Sequence, residues 1–150
     1  MNKNINKNNY LFAVGICLIV FITLLAGVLT NVIAAECRII KVISEAASTG
    51  SKTLYLEPGT VWISKGDCVV WFNHVRDVEI KVIFKEGKTC LDATAAPMGF
   101  KITEENCFVT SYIPLGGTSS LRFVKEGTYQ FMVESKSGAQ GNGKIIVGEY

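Results

Sequence analysis

The side chains able to do chemistry in this chain are few, and their spacing narrows what that chemistry is. His74 is the single histidine, and five cysteines stand at positions 17, 37, 68, 90 and 107. Nucleophilic catalysis needs a base of near-neutral pKa set against a nucleophile and oriented by a third group. One histidine in an expected turn, beside cysteines expected to be oxidised, supplies no such triad. Glu104 and Glu105 are adjacent carboxylates in a polar stretch and read as solvated charges. Gly138, Gly141 and Gly143 lead into what reads as another strand, so no helix N-terminus is there to cradle a phosphate. The chain carries neither a Walker loop nor a dinucleotide fingerprint, and it reads as a non-enzyme.

The cysteines point to crosslinks. Cys17 falls inside a long apolar run, which leaves Cys37, Cys68, Cys90 and Cys107, an even number after that run. Three pairings are open; the favoured one joins Cys37 to Cys68 and Cys90 to Cys107. Each bridge is expected to contribute about 3 kcal/mol by closing a loop in the unfolded chain. No pair has the Cys-x-x-Cys spacing of a redox dithiol or a zinc knuckle.

These residues need a scaffold, and the pattern after residue 35 is that of short strands. Arg38 to Ile43 is rich in β-branched residues, Thr53 to Leu56 stops at Pro58-Gly59, and Thr60 to Ile63 and Cys68 to Phe72 flank Lys65-Gly66-Asp67 like the arms of a hairpin. Val78 to Phe84 alternates apolar and charged residues, as a strand with one wet face does. Strand signals return at Ser119 to Val124, Thr128 to Glu134 and Lys144 to Gly148. Between them, residues 86–117 carry several glycines and prolines and read as a long irregular excursion, while Ser135 to Gly143 reads as a polar, glycine-rich loop. Many short strands without helical periodicity predict an all-β sandwich or barrel. Trp62 and Trp71 are both expected to serve the core.

The N-terminus has a different logic. Residues 1–10 carry Lys3 and Lys7 and no acid, and residues 11–35 carry no charge at all. At about 1.5 Å per residue, such a run spans the roughly 30 Å hydrocarbon core of a bilayer. The flanking lysines predict a cytoplasmic segment 1–10, a signal-anchor helix 11–35 and an exported domain 36–150. The expected location is a bacterial inner membrane, single-pass, with the C-terminal domain in the periplasm. Cleavage after Ala34-Ala35 and secretion to the periplasm is the alternative. Without Lys3 and Lys7 the exported part is balanced in charge, so nucleic acid is not an expected partner.

Two blocks then resemble the cupredoxin, or blue-copper, family. Val61-Trp-Ile-Ser-Lys-Gly-Asp-Cys-Val-Val-Trp-Phe-Asn73 is similar to that family's strand, Gly-Asp turn and Val-x-Trp-x-Asn strand. Gly117 to Phe123, leading to Gly127-Thr-Tyr-Gln-Phe131 and closing with Gly143 to Val147, resembles its last hairpin. The resemblance implies a cupredoxin-like Greek-key β-sandwich. It also places the ligands of a type 1 copper site, which needs two imidazoles, a thiolate and a weak axial donor. The thiolate position is Val133, the following histidine position is Lys136, and the axial methionine position is Gly141. The first histidine would stand near Val78 or Glu79. None of these is a ligand, so the resemblance implies vacated copper positions and no cofactor.

His74 remains a weak metal candidate, and Met132, one step from Val133, should point to the opposite face of its strand. Within the excursion, Pro97, Met98, Phe100 and Tyr112 are candidates for partner binding; the competing reading is that Met98, Phe100 and Ile113 fold back over the sandwich. The functional expectation is a membrane-anchored protein-interaction or assembly module, accessory to a membrane redox complex, whose protein partner the sequence does not name. The alternatives are a copper-binding or electron-transfer protein built on His74, Met98 or Met132 with reduced cysteines, and a structural envelope protein.

Overall fold

The computed structural model describes residues 35–44, 53–85, 92–103 and 108–148. The expected helix 11–35, the segment 1–10 and the bridge between Cys90 and Cys107 lie outside those residues. A compact unit begins at Ala35. It is built of β1 (Cys37–Ser44), β2 (Leu54–Glu57), β3 (Thr60–Ile63), β4 (Cys68–Asn73), β5 (Ile80–Phe84), β6 (Thr94–Met98), β7 (Phe100–Ile102), β8 (Phe108–Thr110), β9 (Thr118–Phe123), β10 (Gly127–Ser135) and β11 (Gln140–Val147).

Alternation decides which way each strand faces, and the result is two sheets. One has the order β2-β1-β4-β9-β6, the other β3-β11-β10-β5-β8-β7. β1 lies parallel to β4 and β3 parallel to β11, and the remaining pairs are antiparallel. Inward residues of both sheets form one core: Ile40, Val42, Val69, Trp71, Leu121 and Phe123 from the first, Val61, Val82, Phe84, Phe131, Val133 and Ile145 from the second. Trp71, fully buried, is its centre. The rings of Phe84, Phe100 and Phe131 meet it edge-on at 5.7, 5.4 and 5.4 Å between centroids, a geometry that sets ring edges against the π face. Its indole Nε1 is buried with no hydrogen-bond partner among the described residues.

Several sequence expectations are corrected. Thr60 to Ile63 and Cys68 to Phe72 are not a hairpin: β3 and β4 belong to different sheets. Both bury alternate residues, Val61 and Ile63 against Val69 and Trp71, in the same layer from opposite sides, so the Lys65-Gly66-Asp67 turn carries the chain across the sandwich. Gly66 takes φ +98° there, a conformation that favours glycine. The strand expected from Val78 starts at Ile80, because the Val78 carbonyl accepts from the Asn73 side chain rather than joining a ladder. The excursion is not wholly irregular: β6 pairs with β9, β8 with β5 and β7 with β8, so it extends both sheets.

The glycine-rich loop shrinks to Lys136–Ala139. β10 runs through Ser135 and β11 begins at Gln140. Gly141 and Gly143 sit within β11 because larger residues do not fit: a Cβ at 141 would stand 2.5 Å from the Leu54 carbonyl oxygen, and one at 143 would strike the Phe131 ring. Trp62 also departs from expectation. Sharing β3 with two inward residues, it faces out and is 57 % exposed.

The Cys37–Cys68 disulfide forms as expected, joining the first residues of the parallel pair β1 and β4 across 31 positions of sequence. Closing a loop of that length in the unfolded chain is worth roughly 3–4 kcal/mol. Replacing both Cys37 and Cys68 by serine is therefore expected to lower the unfolding free energy by about that amount, read as an earlier denaturant midpoint. An unchanged midpoint would contradict the assignment.

Candidate functional site

Strand β4 ends on a buried amide that organises one end of the sandwich. Asn73 is fully buried, and its Nδ2 donates to the carbonyls of Val78 and Ile113, each at 2.9 Å. Its Oδ1 accepts from the Val75 N–H at 2.9 Å. Its backbone N–H donates to Gly117 and its carbonyl accepts from Gly116. One residue thus gathers the loops 74–79 and 111–117. Ile113 answers by exchanging backbone hydrogen bonds with Ile80, in both directions, at 2.7 and 3.1 Å.

The neighbouring ladder completes the corner. β10 pairs with β5 so that Ser135 lies opposite Ile80 and Val133 opposite Val82. Glu79 and Lys136, the next residues out on each strand, are therefore brought together. The Lys136 N–H donates to the Glu79 carbonyl at 3.0 Å, and the Lys136 ammonium forms an ion pair with the Glu79 carboxylate. Lys136 also lies over the Tyr112 ring at 4.9 Å, and Lys81 over the same ring at 4.6 Å, both within cation–π range. The hydrogen bond to Glu79, and then its charge, hold the Lys136 ammonium above the ordinary lysine pKa. A protonated lysine has no lone pair to give a metal.

The sequence-named positions sort clearly. Val133 is fully buried in the core and carries only hydrocarbon. Gly141 is a strand residue packed on the Leu54 backbone, not part of a ligand-bearing loop. Met132 does face away from Val133, into an open hollow it lines with Ile83, Gln130 and Asn142. His74 is exposed, its N–H donating to Val42 and its ring 5.8 Å from that of Phe72. Among the described residues, no group of three histidine, cysteine or carboxylate side chains converges as a metal cage would require.

Of the partner candidates, Pro97, Met98 and Tyr112 are on the surface, with Met98 69 % exposed. Phe100 is not: it packs on Trp71 and stacks at 5.1 Å on Phe108, so it belongs to the rim of the core. Ile113 is buried as the fold-back reading expected, while Met98 is not. Leu115, in the apolar stretch that begins at Tyr112, is half exposed on the loop that Asn73 holds, and the sequence reading missed the Glu79–Lys136–Tyr112 cluster. The pairing of Glu79 with Lys136 leaves no local signal, because it follows from the register of two strands far apart in sequence.

No protein-family model matches the chain, and no curated protein matches it. Among solved structures it is similar to a Cu(I) form of a methionine-to-glutamine variant of amicyanin, at 18 % identity and a TM-score of 0.46, covering 75 % of this chain and 83 % of that one. It is likewise similar to a reduced tryptophan-to-tyrosine variant of amicyanin, at 17 % identity and a TM-score of 0.46, covering 78 % and 87 %.

Two measurements check this geometry. Asn73→Ala removes three side-chain hydrogen bonds from a dry site and is expected to cost about 3–5 kcal/mol of stability; a loss below about 1 kcal/mol would contradict the clamp. For Lys136 the folded pKa is raised, so its contribution is full below the unfolded lysine value and disappears as pH rises through the folded one. Thermal midpoints of wild type and Lys136→Met should therefore differ slightly at neutral pH and converge in strong alkali. A gap that widens with pH would contradict the pairing.

Proposed function

We propose that the chain is a membrane-anchored, periplasm-facing cupredoxin-like domain that holds no type 1 copper and acts as a protein-interaction or assembly module, accessory to a membrane redox complex. The observation that carries this is the Glu79–Lys136 ion pair. It stands where the motif resemblance places the two histidine ligands, with Val133 in place of the thiolate. A type 1 site is soft and nitrogen-rich, and binds through imidazole and thiolate lone pairs. An ammonium, a carboxylate committed to it and a valine do not fit that metal, so the reading routes no electron transfer through this corner.

What the same end of the sandwich offers is surface. Met98 ends β6 beside Gly99, whose carbonyl accepts from the Ser111 N–H, while Tyr112 and Leu115 lie on the 111–117 loop, and all three are exposed. Lys81 and Lys136 border Tyr112. An apolar centre with a charged rim is the anatomy of a docking face. The location of that face in the periplasm follows from the sequence of the N-terminal segment, and the membrane redox complex as partner rests on fold-level analogy.

A photoactivatable residue at position 98, in the full-length protein in its own membrane, is expected to give one discrete protein adduct. The same residue at Arg122, on the outer face of β9, should not. Met98→Asp should weaken the captured complex by about tenfold, equivalent to roughly 1.4 kcal/mol. Equal adducts from both positions, or none from 98, would refute the interaction reading.

A further inference from the structure

A second apolar surface lies beside the point where the chain enters the sandwich. β1 and β4 run parallel, so Cys37 and Cys68 mark one end and Asn73 the other. At the Cys37 end, Ile39 and Trp62 are 56 % and 57 % exposed and line one open groove together with Cys37, Arg38, Pro58, Thr60 and Val61. This groove begins two residues after Ala35, where the uncharged run 11–35 stops.

The entry of the chain at this point has no slack. The Glu36 N–H donates to Asp67 Oδ1 at 3.0 Å, and the Glu36 carbonyl accepts from the Cys68 N–H at 2.9 Å. The Cys37–Cys68 bridge follows immediately. Asp67 is itself fixed, its Oδ2 accepting from the Ser64 N–H at 3.0 Å. Residue 36 is thus part of the folded domain rather than a linker to it. Ile39 is four residues from Ala35, a reach of at most about 14 Å even fully extended. The polar layer outside the hydrocarbon core is itself several ångströms thick on each side. Trp62 is two residues from Ser64, so β3 delivers it to the same end.

We propose that Trp62 and Ile39 insert into the headgroup layer of the bilayer, so that the domain rests on the lipid surface through this groove. The proposal rests on the anchor reading of residues 11–35. Tryptophan favours the membrane interface, where its ring is shielded from water and its N–H stays within reach of polar groups. The short tether keeps the groove near the lipid surface under the anchor reading, and burying two large apolar side chains there is favourable.

The test uses the full chain in phosphatidylcholine–phosphatidylglycerol vesicles whose acyl chains are brominated near the headgroup. The chain has two tryptophans, and Trp71 is fully buried in the core, so the Trp62 share of the emission is isolated by comparison with Trp62→Phe. Brominated lipid is expected to lower that share by about half, with the residual emission of Trp62→Phe unaffected. If the chain stays with the vesicles through an alkaline carbonate wash but Trp62 is not quenched, the inference fails and the anchor stands. Release of the chain by the wash overturns the anchor reading and this inference with it. Trp62 emission that responds to protein density but not to brominated lipid would assign the groove to a second copy of the chain, and would also overturn the proposal.

Discussion

The arrangement of the candidate site depends on one buried amide. Asn73 ends a strand whose preceding residues serve the core, and its side chain meets the Val75 N–H and the carbonyls of Val78 and Ile113, the last of which also accepts from the Ile80 N–H. Such groups cost roughly 1–3 kcal/mol each if left dry and unpaired. A single asparagine removes that cost and in doing so fixes where two loops lie. Because it takes the Val78 carbonyl, β5 cannot begin before Ile80, and Glu79 is left at the strand's edge facing the β10 turn. Because it takes the Ile113 carbonyl, the loop carrying Tyr112 and Leu115 is held against β5. The ion pair with Lys136 is a consequence of that placement, not its cause, since both of its side chains are substantially exposed and exposed pairs contribute little.

Much of the fold was legible. β1 to β5 and β9 to β11 each announce themselves by alternation and β-branched content, and the turn at Pro58-Gly59 separates β2 from β3 as read. Trp71 as a core residue and Cys37–Cys68 as a bridge were also within reach. What was not legible shares one physical reason: it depends on which elements meet. β6, β7 and β8 lie in a stretch of glycines and prolines that masks their strand signal, and are recruited by the sheet edges they extend. Gly141 and Gly143 signal a loop by type but are strand residues by necessity, since Leu54 and Phe131 occupy the space their side chains would need. Trp62 reads as core by composition, and only the placement of β3 turns it outward.

The two ends of the sandwich are held together differently. At the Cys37 end, a disulfide, a carboxylate accepting two N–H groups and a backbone hydrogen bond hold the entering chain, a rigid arrangement suited to transmitting position. At the Asn73 end, the backbone is equally well satisfied, and the side chains left outside include Tyr112, Leu115 and the Glu79–Lys136 pair. The corner that the motif resemblance assigns to copper chemistry is filled with a core valine and a closed ion pair. Under the proposed function, packing and charge stand where a type 1 site would need soft ligands.

Metal loading tests the replacement of the copper site most directly. The full-length protein in detergent, with its disulfides intact, would be incubated with excess Cu(II), stripped of loosely held ion by gel filtration, and examined for copper content and visible absorbance. A corner closed by Val133, Glu79 and Lys136 predicts well under one copper per chain and no intense thiolate-to-copper band. One copper retained per chain with that band would contradict it.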